Sequence, residues 1–395
     1  MHKIRIAFIK YNGLAAGGTE RWLQEVAISL PRDEFEVCYF YTGEPDFHRK
    51  EYLKRHGVDL VYVKASGKSL TGEWLDTDFF DKFDEQHFDM IQTAIAGPCE
   101  WPYFLFKKPV LQKVALDMGV DFRSNVYHTF FMSRWLRRQW ILKGGSLCFS
   151  SVIPFGVTSV VFDGDLRQEL GIPQNALVAG FHQRVDDDTF SPVPLESFAE
   201  VSTADNYFII MGGSSRYREQ AKSLGLKNFC HISHSSDGSR ISSFLNTLDI
   251  FAQGRRDGET FGYVFAEALM HKKPCLGHAA ECNAHKDTMG PGGLWATTPE
   301  EYITHLRSLF DDGELRQRLA AEGYSHACAT FNNVNGMSLM ARKYREIYNI
   351  GGWKRLLIVF SRINRVILKL VGFYALINFA FRVRRKSLYL RRKFH

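Results

Sequence analysis

Two successive sets of short β-type runs, separated by amphipathic stretches of helical length, constrain this chain more than any other feature. In the first set, residues 4–9, 36–41, 60–63 and 89–96 read as strands, with helix signals at 19–30, 47–56 and 79–86. A helix is expected at 133–142 and a return to the sheet at 150–157. The second set opens after Asp163 with a helix at 165–170, ended by Gly171-Ile172-Pro173. Strands follow at 177–182, 207–211, 229–232, 249–252 and 274–277, with helices at 216–224, 240–246, 260–270 and 299–309. Alternation of this kind predicts parallel sheets with helices on both faces. A chain of 395 residues has room for two such domains. We expect them at 1–157 and 158–330, followed by a closing helix at 331–350 and a tail at 351–395. Two doubly wound domains leave a cleft at the carboxyl ends of their strands, where ligands bind.

Charge is divided unevenly along the chain. The net charge of +7 conceals a tail, residues 351–395, with 12 Lys and Arg and no Asp or Glu; without it the body carries −5. The body is therefore not a nucleic-acid binder by charge, and no nucleic-acid partner is expected. The seven cysteines are odd in number, and none has Cys-x-x-Cys spacing. Most lie in apolar runs such as Val37-Cys38-Tyr39-Phe40, and they read as small buried hydrophobes in a reducing compartment. The N-terminus enters a strand-like run directly, without a signal-peptide layout, so a cytoplasmic body is expected.

The chemistry-bearing residues lie where strands end. The first strand runs into Gly13-Leu14-Ala15-Ala16-Gly17-Gly18-Thr19-Glu20 and then a helix. Gly17 and Gly18 permit close backbone approach, and a helix N-terminus offers N–H groups to an anion. A tight turn capped by Thr19 explains the same residues. Gly-x-Gly-x-x-Gly is absent, which disfavours a nicotinamide oxidoreductase. In the second set Arg184 follows a strand ending Phe181-His182-Gln183. There a guanidinium can hold diphosphate oxygens, or simply pair with Asp186, Asp187 or Asp188. Met211-Gly212-Gly213-Ser214-Ser215 repeats the strand-then-glycine device, with Arg216 and Arg218 close behind. The most informative stretch is Gly254-Arg255-Arg256-Asp257-Gly258-Glu259-Thr260-Phe261-Gly262, continuing to Glu267-Ala268-Leu269. The spacing of eight between Glu259 and Glu267 predicts two carboxylates on one side of a helix, two turns apart. Such a pair suits the hydroxyls of a sugar and a ribose held end to end.

This stretch resembles the signature region of the retaining GT-B glycosyltransferases of family 4. Gly17-Gly18-Thr19-Glu20, Val152-Ile153-Pro154-Phe155-Gly156-Val157 and the Arg184 loop agree with that family in order and spacing. The resemblance spans about residues 3–350 and is strongest over 153–277. It implies a GT-B fold, two doubly wound Rossmann-like domains facing a cleft. It also implies a nucleotide-sugar donor bound mainly by the second domain, an acceptor bound mainly by the first, and retention of anomeric configuration. Glu259 would contact the transferred sugar and Glu267 the ribose. The amides of Thr260, Phe261 and Gly262, with Arg184, would neutralise the diphosphate, and Gly17 and Gly18 would line the opposite wall. Glu259 and Arg184 are thus the catalytic candidates. These parts require no metal ion and no cofactor beyond the nucleotide-sugar substrate. Asp76-Thr77-Asp78 has an Asp-x-Asp form but reads as an acidic, solvated stretch.

Two positions depart from the family pattern. Thr189 stands where a lysine usually follows the loop arginine, and Leu116 stands near the place of a frequent histidine. Arg216, Arg218, Arg255 and Arg256 are candidates to replace the charge, and His128 and His182 to replace the imidazole. These departures favour a competing reading, a catalytically inactive GT-B scaffold that binds nucleotide sugar or glycan. The intact frame around Glu259 and Glu267 opposes it.

The tail has its own pattern. Arg355, Arg362, Arg365 and Lys369 are spaced by 7, 3 and 4, which puts them on one stripe of a helix, with aliphatic residues covering most of the rest. An amphipathic helix of this kind lies in a membrane interface with its cations toward anionic lipid. The best apolar run, 366–381, is shorter than the roughly 20 residues a span needs. The expectation is peripheral binding to an anionic membrane on its cytosolic face. The acceptor is then a glycan or a lipid-linked saccharide in surface-glycan assembly.

Overall fold

The computed structural model describes residues 2–350 except 16, 71, 97–100, 117–118, 122, 154–155, 158–161 and 332. The side chains of 104 and 333–335 also lie outside the description. The first half contains β1 (Ile4–Lys10), α1 (Gly18–Ser29), β2 (Phe35–Tyr41), β3 (Asp59–Tyr62), β4 (Met90–Ile95), β5 (Val110–Val114), β6 (Val126–Phe131), α2 (Arg134–Leu142) and β7 (Ser150–Val152). The second contains β8 (Leu177–Gln183), β9 (Asn206–Gly212), β10 (Phe229–Ile232), β11 (Ile250–Ala252) and β12 (Gly258–Glu259). Then come α3 (Tyr263–Met270), β13 (Cys275–His278), β14 (Cys282–Asn283), α4 (Ala284–Met289) and β15 (Gly293–Ala296). A last helix, α5 (Asn333–Tyr348), follows.

Among the described residues the first half forms a seven-stranded sheet in the order β3-β2-β1-β4-β5-β6-β7, and the second a six-stranded sheet, β10-β9-β8-β11-β13-β15. Every pairing within these two sheets is parallel. Strands covered on both faces need apolar side chains in both directions, and β1 is buried at six of its seven positions. The strand order reverses beside β1 in one sheet and beside β8 in the other. Such reversals open a crevice at the carboxyl ends of the strands. The glycine turn after β1, the Arg184 loop after β8 and the Gly254–Gly262 segment after β11 all start from these positions. The architecture is thus two Rossmann-like domains of mixed α/β type, as the sequence implied.

Helix α5 returns the chain to the first sheet. Tyr344 is fully buried, its hydroxyl donates to Gln92 Oε1 at 2.7 Å, and Arg345 pairs with Glu34. Contacts between the halves include Ser133 Oγ, which donates to the Thr260 carbonyl at 2.7 Å, and the Arg21 guanidinium, 5.1 Å from the Tyr263 ring centre.

Several sequence expectations need correction. Strands β5 and β6 were missed because buried polar residues interrupt their apolar pattern: Gln112 donates to Thr129 Oγ1 at 3.2 Å, and His128 Nε2 lies 2.9 Å from Ser151 Oγ. Strand β15 and the helices Val193–Val201 and Gly313–Thr330 were also not anticipated. The strand expected at 150–157 ends at Val152. The cysteines are less enclosed than the sequence suggested. Of those described, Cys275 is buried, Cys148 is exposed, and the other four are intermediate. Among the described residues no helix is long and apolar enough to cross a membrane. The tail, with Arg355, Arg362, Arg365 and Lys369, lies outside the described residues.

Candidate active site

Glu259 does not stand on a helix, contrary to the expectation of two carboxylates one above the other. It belongs to the short strand β12, which pairs in parallel with β14 through Gly258 to Cys282 and Glu259 to Asn283. Helix α3 begins four residues later, and only Glu267 rides on it. The reason is Gly262, whose φ of +84° breaks the helix before it can extend backward. A Cβ at Gly262 would come within 2.7 Å of the His285 Cβ, so the turn both needs a left-handed residue and has no room for a side chain.

The segment between Glu259 and α3 is held from two sides. Ser133, which also caps α2 by accepting from the Leu136 amide, fixes the Thr260 carbonyl from the first domain. Thr288 of α4 donates its hydroxyl to the Phe261 carbonyl, and the Phe261 ring packs edge-on to Phe331 at 5.5 Å. Two adjacent peptide planes are thereby fixed in orientation, including the N–H groups that lead into α3.

Glu259 is largely enclosed, its side chain 18% exposed, and its carboxylate meets the Arg255 guanidinium at 3.1 Å. Burial pushes its carboxyl above the ordinary range, while Arg255 pulls it back. Arg255 in turn is bidentate on Asp257, at 2.6 and 2.8 Å. Burial alone would lower its affinity for the proton, and the bond to Asp257 with the charges of Glu259 and Asp257 reverse that, keeping it cationic. The next residue closes the unit: the Arg256 amide donates to the Thr189 carbonyl at 3.3 Å. Thr189 itself is buried, its hydroxyl donating to the Asp186 carbonyl at 2.8 Å. Of the four arginines considered for the missing charge, the structure thus brings Arg255 to Glu259 and its loop to Thr189. Arg216 instead lies over the Phe190 ring at 4.0 Å.

Arg184 follows β8 at the carboxyl end of the sheet, but it is 67% exposed and turned onto Asp186, at 2.7 Å. Its charge still reaches Glu259. Glu267 lies 3.3 Å from His182 Nε2, so the histidine offered as a replacement imidazole sits against that carboxylate instead. His128 is buried and pushed down to about 3 by desolvation, a neutral ring engaged with Ser151. Leu116 is 44% exposed just beyond β5.

Across the cleft, Gly17 and Gly18 are both exposed at the start of α1. A Cβ on Gly17 would fall 2.2 Å from Glu20 Oε2, so the anion nearest this helix start is the chain's own Glu20. Lys10 Nζ lies 3.7 Å from that carboxylate. Behind it Lys113 is fully buried, and desolvation pushes its ammonium down to about 7. Sequence reasoning missed Lys113, Gln24 and Ser133; for Ser133 the helix-capping position was the available signal. Asp76 and Asp78 do not converge on a common point: Asp76 accepts from Ser66 Oγ and Asp78 pairs with Lys82.

Fold and local geometry agree with one class. Residues 163–326 match the family model described as glycosyl transferases group 1. Solved structures with the same fold are GT-B glycosyltransferases. A glycosyltransferase from Rickettsia africae superposes with a TM-score of 0.73 at 15% identity, over 89% of this chain and 100% of that one. Alr3699/HepE from Anabaena, in complex with UDP and glucose, gives 0.68 at 17% identity over 87% and 100%. WaaG, a glycosyltransferase involved in lipopolysaccharide biosynthesis, gives 0.62 at 14% identity over 85% and 99%. No curated protein matches in sequence.

Proposed function

We propose that this protein transfers a sugar from a nucleotide diphosphate donor to a glycan or lipid-linked saccharide, with retention of configuration and without a metal ion. The observation that carries the reading is the unit around Glu259: a largely enclosed carboxylate beside a largely enclosed guanidinium, followed by two anchored peptide planes that open a helix. The group 1 match over the same segment supports it.

The chemistry follows from where charge develops. Breaking the bond between the sugar carbon and the diphosphate oxygen leaves positive character on the carbon and negative charge on the leaving oxygen. Fixed N–H groups from Thr260 to Gly262, with Arg184 and Arg255, stabilise the second; Glu259 faces the transferred sugar. The leaving phosphate accepts the acceptor's proton on the same face, which retains configuration. Glu267 takes the ribose hydroxyls, and His182 behind it orients the carboxylate. Residues 351–395 hold the protein to an anionic membrane on the cytosolic face, close to a lipid-linked acceptor. The UDP and glucose in the Anabaena structure make a UDP-sugar the first donor to try.

A thermal-shift panel of UDP-, GDP-, ADP- and CMP-sugars, with and without EDTA, tests this. The expected result is stabilisation by one nucleotide, unchanged by EDTA, of about 2.7 kcal/mol at 100 times its Kd. Binding without transfer to any acceptor would favour the inactive scaffold, for which Thr189 and Leu116 already speak. No shift with any nucleotide would remove the transferase reading and leave the scaffold, as a glycan binder.

A further inference from the structure

The cleft wall of the first domain holds two cations that the transfer chemistry leaves unused. Lys10 ends β1, and Lys113 stands one residue before the end of β5. The register brings them level: Lys113 pairs with Ala94 of β4, and Ala94 is one residue past the pair of Ile9 with Thr93. The two lysines therefore flank Ala94 in one row, their backbones two strand spacings, about 10 Å, apart. Neighbours in such a row point to the same face of the sheet, here the face covered by α1. Both side chains reach the first turns of that helix. Lys10 Nζ lies 3.7 Å from Glu20, and Lys113 Nζ lies 5.9 Å from the centre of the Trp22 ring. Between them the row supplies only the Ala94 methyl group.

The charges here do not balance. Lys10 is 7% exposed and Lys113 only 1%. Among the described residues Lys113 makes no hydrogen bond or ion pair; it has the face of Trp22 alone. Desolvation brings its ammonium down to about 7, against the pull of Glu20. A buried cation without a partner costs the fold stability, where an apolar side chain of similar volume would not. Glu20 has the features of a stand-in anion. It lies in the first turn of α1 and curls back over the exposed Gly17, where a Cβ would fall 2.2 Å from its Oε2. It thus covers both Lys10 and a helix start whose amides attract an anion. Its single charge leaves the two lysines with a surplus of one. A dianion in its place would cancel both, and a tetrahedral one takes bonds from two ammonium groups and from amides together.

The donor diphosphate belongs to the opposite wall, with Arg184, Arg255 and the amides from Thr260 to Gly262. An anion held by Lys10 and Lys113 is on the acceptor side. We infer that Lys10 and Lys113 form a site for a phosphomonoester carried by the acceptor saccharide, and that Glu20 occupies the site until the phosphate displaces it. That the ligand is an acceptor rests on the transferase reading; the anion site stands without it. The carbonyls of Gly13 and Ala15 keep their bonds to Gln24 and Tyr39 throughout, and only the Glu20 carboxylate exchanges.

Calorimetric titration of the full chain with glucose 1-phosphate, glucose and glucuronate, each with and without saturating UDP, tests this. Glucose 1-phosphate is expected to bind equally well with UDP present, glucuronate about tenfold more weakly, and glucose not at all. Lys10→Met and Lys113→Met should each weaken glucose 1-phosphate by about tenfold and leave UDP affinity within about twofold. Glu20→Gln should tighten it, since the resident competitor loses its charge. Lys113→Met should also raise the unfolding temperature of the free protein, because a buried, unpaired charge is gone. A lower unfolding temperature in Lys113→Met, with Glu20→Gln binding as the wild type does, would make the cluster purely structural and overturn the inference. Competition by UDP would put the phosphate in the donor site and overturn it too, as would equal affinity for glucuronate or no binding of glucose 1-phosphate. Failure of UDP to bind, with the lysine and Glu20 effects intact, would remove the transferase reading and leave the anion site standing.

Discussion

Both domains send a central strand toward the cleft and open a helix on a glycine-containing turn, and each turn carries a carboxylate beside a cation, yet the two are anchored differently. After β1 the turn is anchored by the helix it opens and by the neighbouring strand. Gln24 donates to the carbonyls of Gly13 and Ala15 at 2.8 and 3.2 Å, Tyr39 adds a hydroxyl to Gly13, and Glu20 sits at the start of α1. After β11 the turn is held by groups from elsewhere, Ser133 and Thr288, while its carboxylate, Glu259, depends on Arg255. A turn whose carbonyls are taken up by Gln24 and Tyr39 is a wall. A turn with a largely enclosed carboxylate and guanidinium at its edge can exchange partners with a ligand.

The sharpest way to break this contrast is Glu259→Gln, which keeps the shape and removes the charge. Transfer should fall about 10³-fold while nucleotide affinity changes little, as expected for a group acting on developing charge. Rates and calorimetric binding measured on one preparation check it, and wild-type turnover would end the assignment.

Arg255→Met should destabilise the fold by about 3 kcal/mol, because it strands a largely enclosed carboxylate. The pH dependence gives the sign. Burial raises the Glu259 carboxyl in the folded chain, and without Arg255 only the more distant Arg184 opposes this. A carboxyl raised on folding favours the folded state below its unfolded value, near 4.5, and the advantage is lost as pH rises through the folded value. The variant's deficit should therefore be small near pH 4.5 and grow as pH rises, read by urea unfolding across pH. A deficit independent of pH would mean that Arg255 serves Asp257 alone.

The smallest effect belongs to the first turn. Gln24→Leu removes three hydrogen bonds, two donated to the turn and one accepted from Arg49 Nε, and should cost about 2 kcal/mol of stability. Donor affinity should stay within about twofold, since the turn is a wall and not a contact for charge. A large loss of affinity would show that the two turns share the donor.

Much of the architecture was legible because parallel strands buried on both faces are continuous apolar runs; β1, β2 and β8 declare themselves that way. Strands β5 and β6 did not, since Gln112, His128 and Thr129 are polar residues that only their partners in the sheet make tolerable in a core. The candidate site divided along the same line. The motif from Gly254 to Glu267 was visible as spacing. That Glu259 lies on a strand and not on the helix was not, because periodicity carries no sign of a left-handed residue breaking the helix at Gly262.

What the sequence determined by itself is local: which runs are apolar on both faces, where glycine permits a turn, and which stretches lack carboxylates. What only the tertiary structure decided is pairing over distance. The meeting of Ser133 with Thr260, Tyr344 with Gln92, and Thr189 with the loop of Arg255 joins residues far apart in the chain. Whether an arginine faces water, as Arg184 does, or is buried against a carboxylate, as Arg255 is, depends on the neighbours that folding places around it. Desolvation is a property of the packed chain, and it separates two residues whose local sequence makes them look alike.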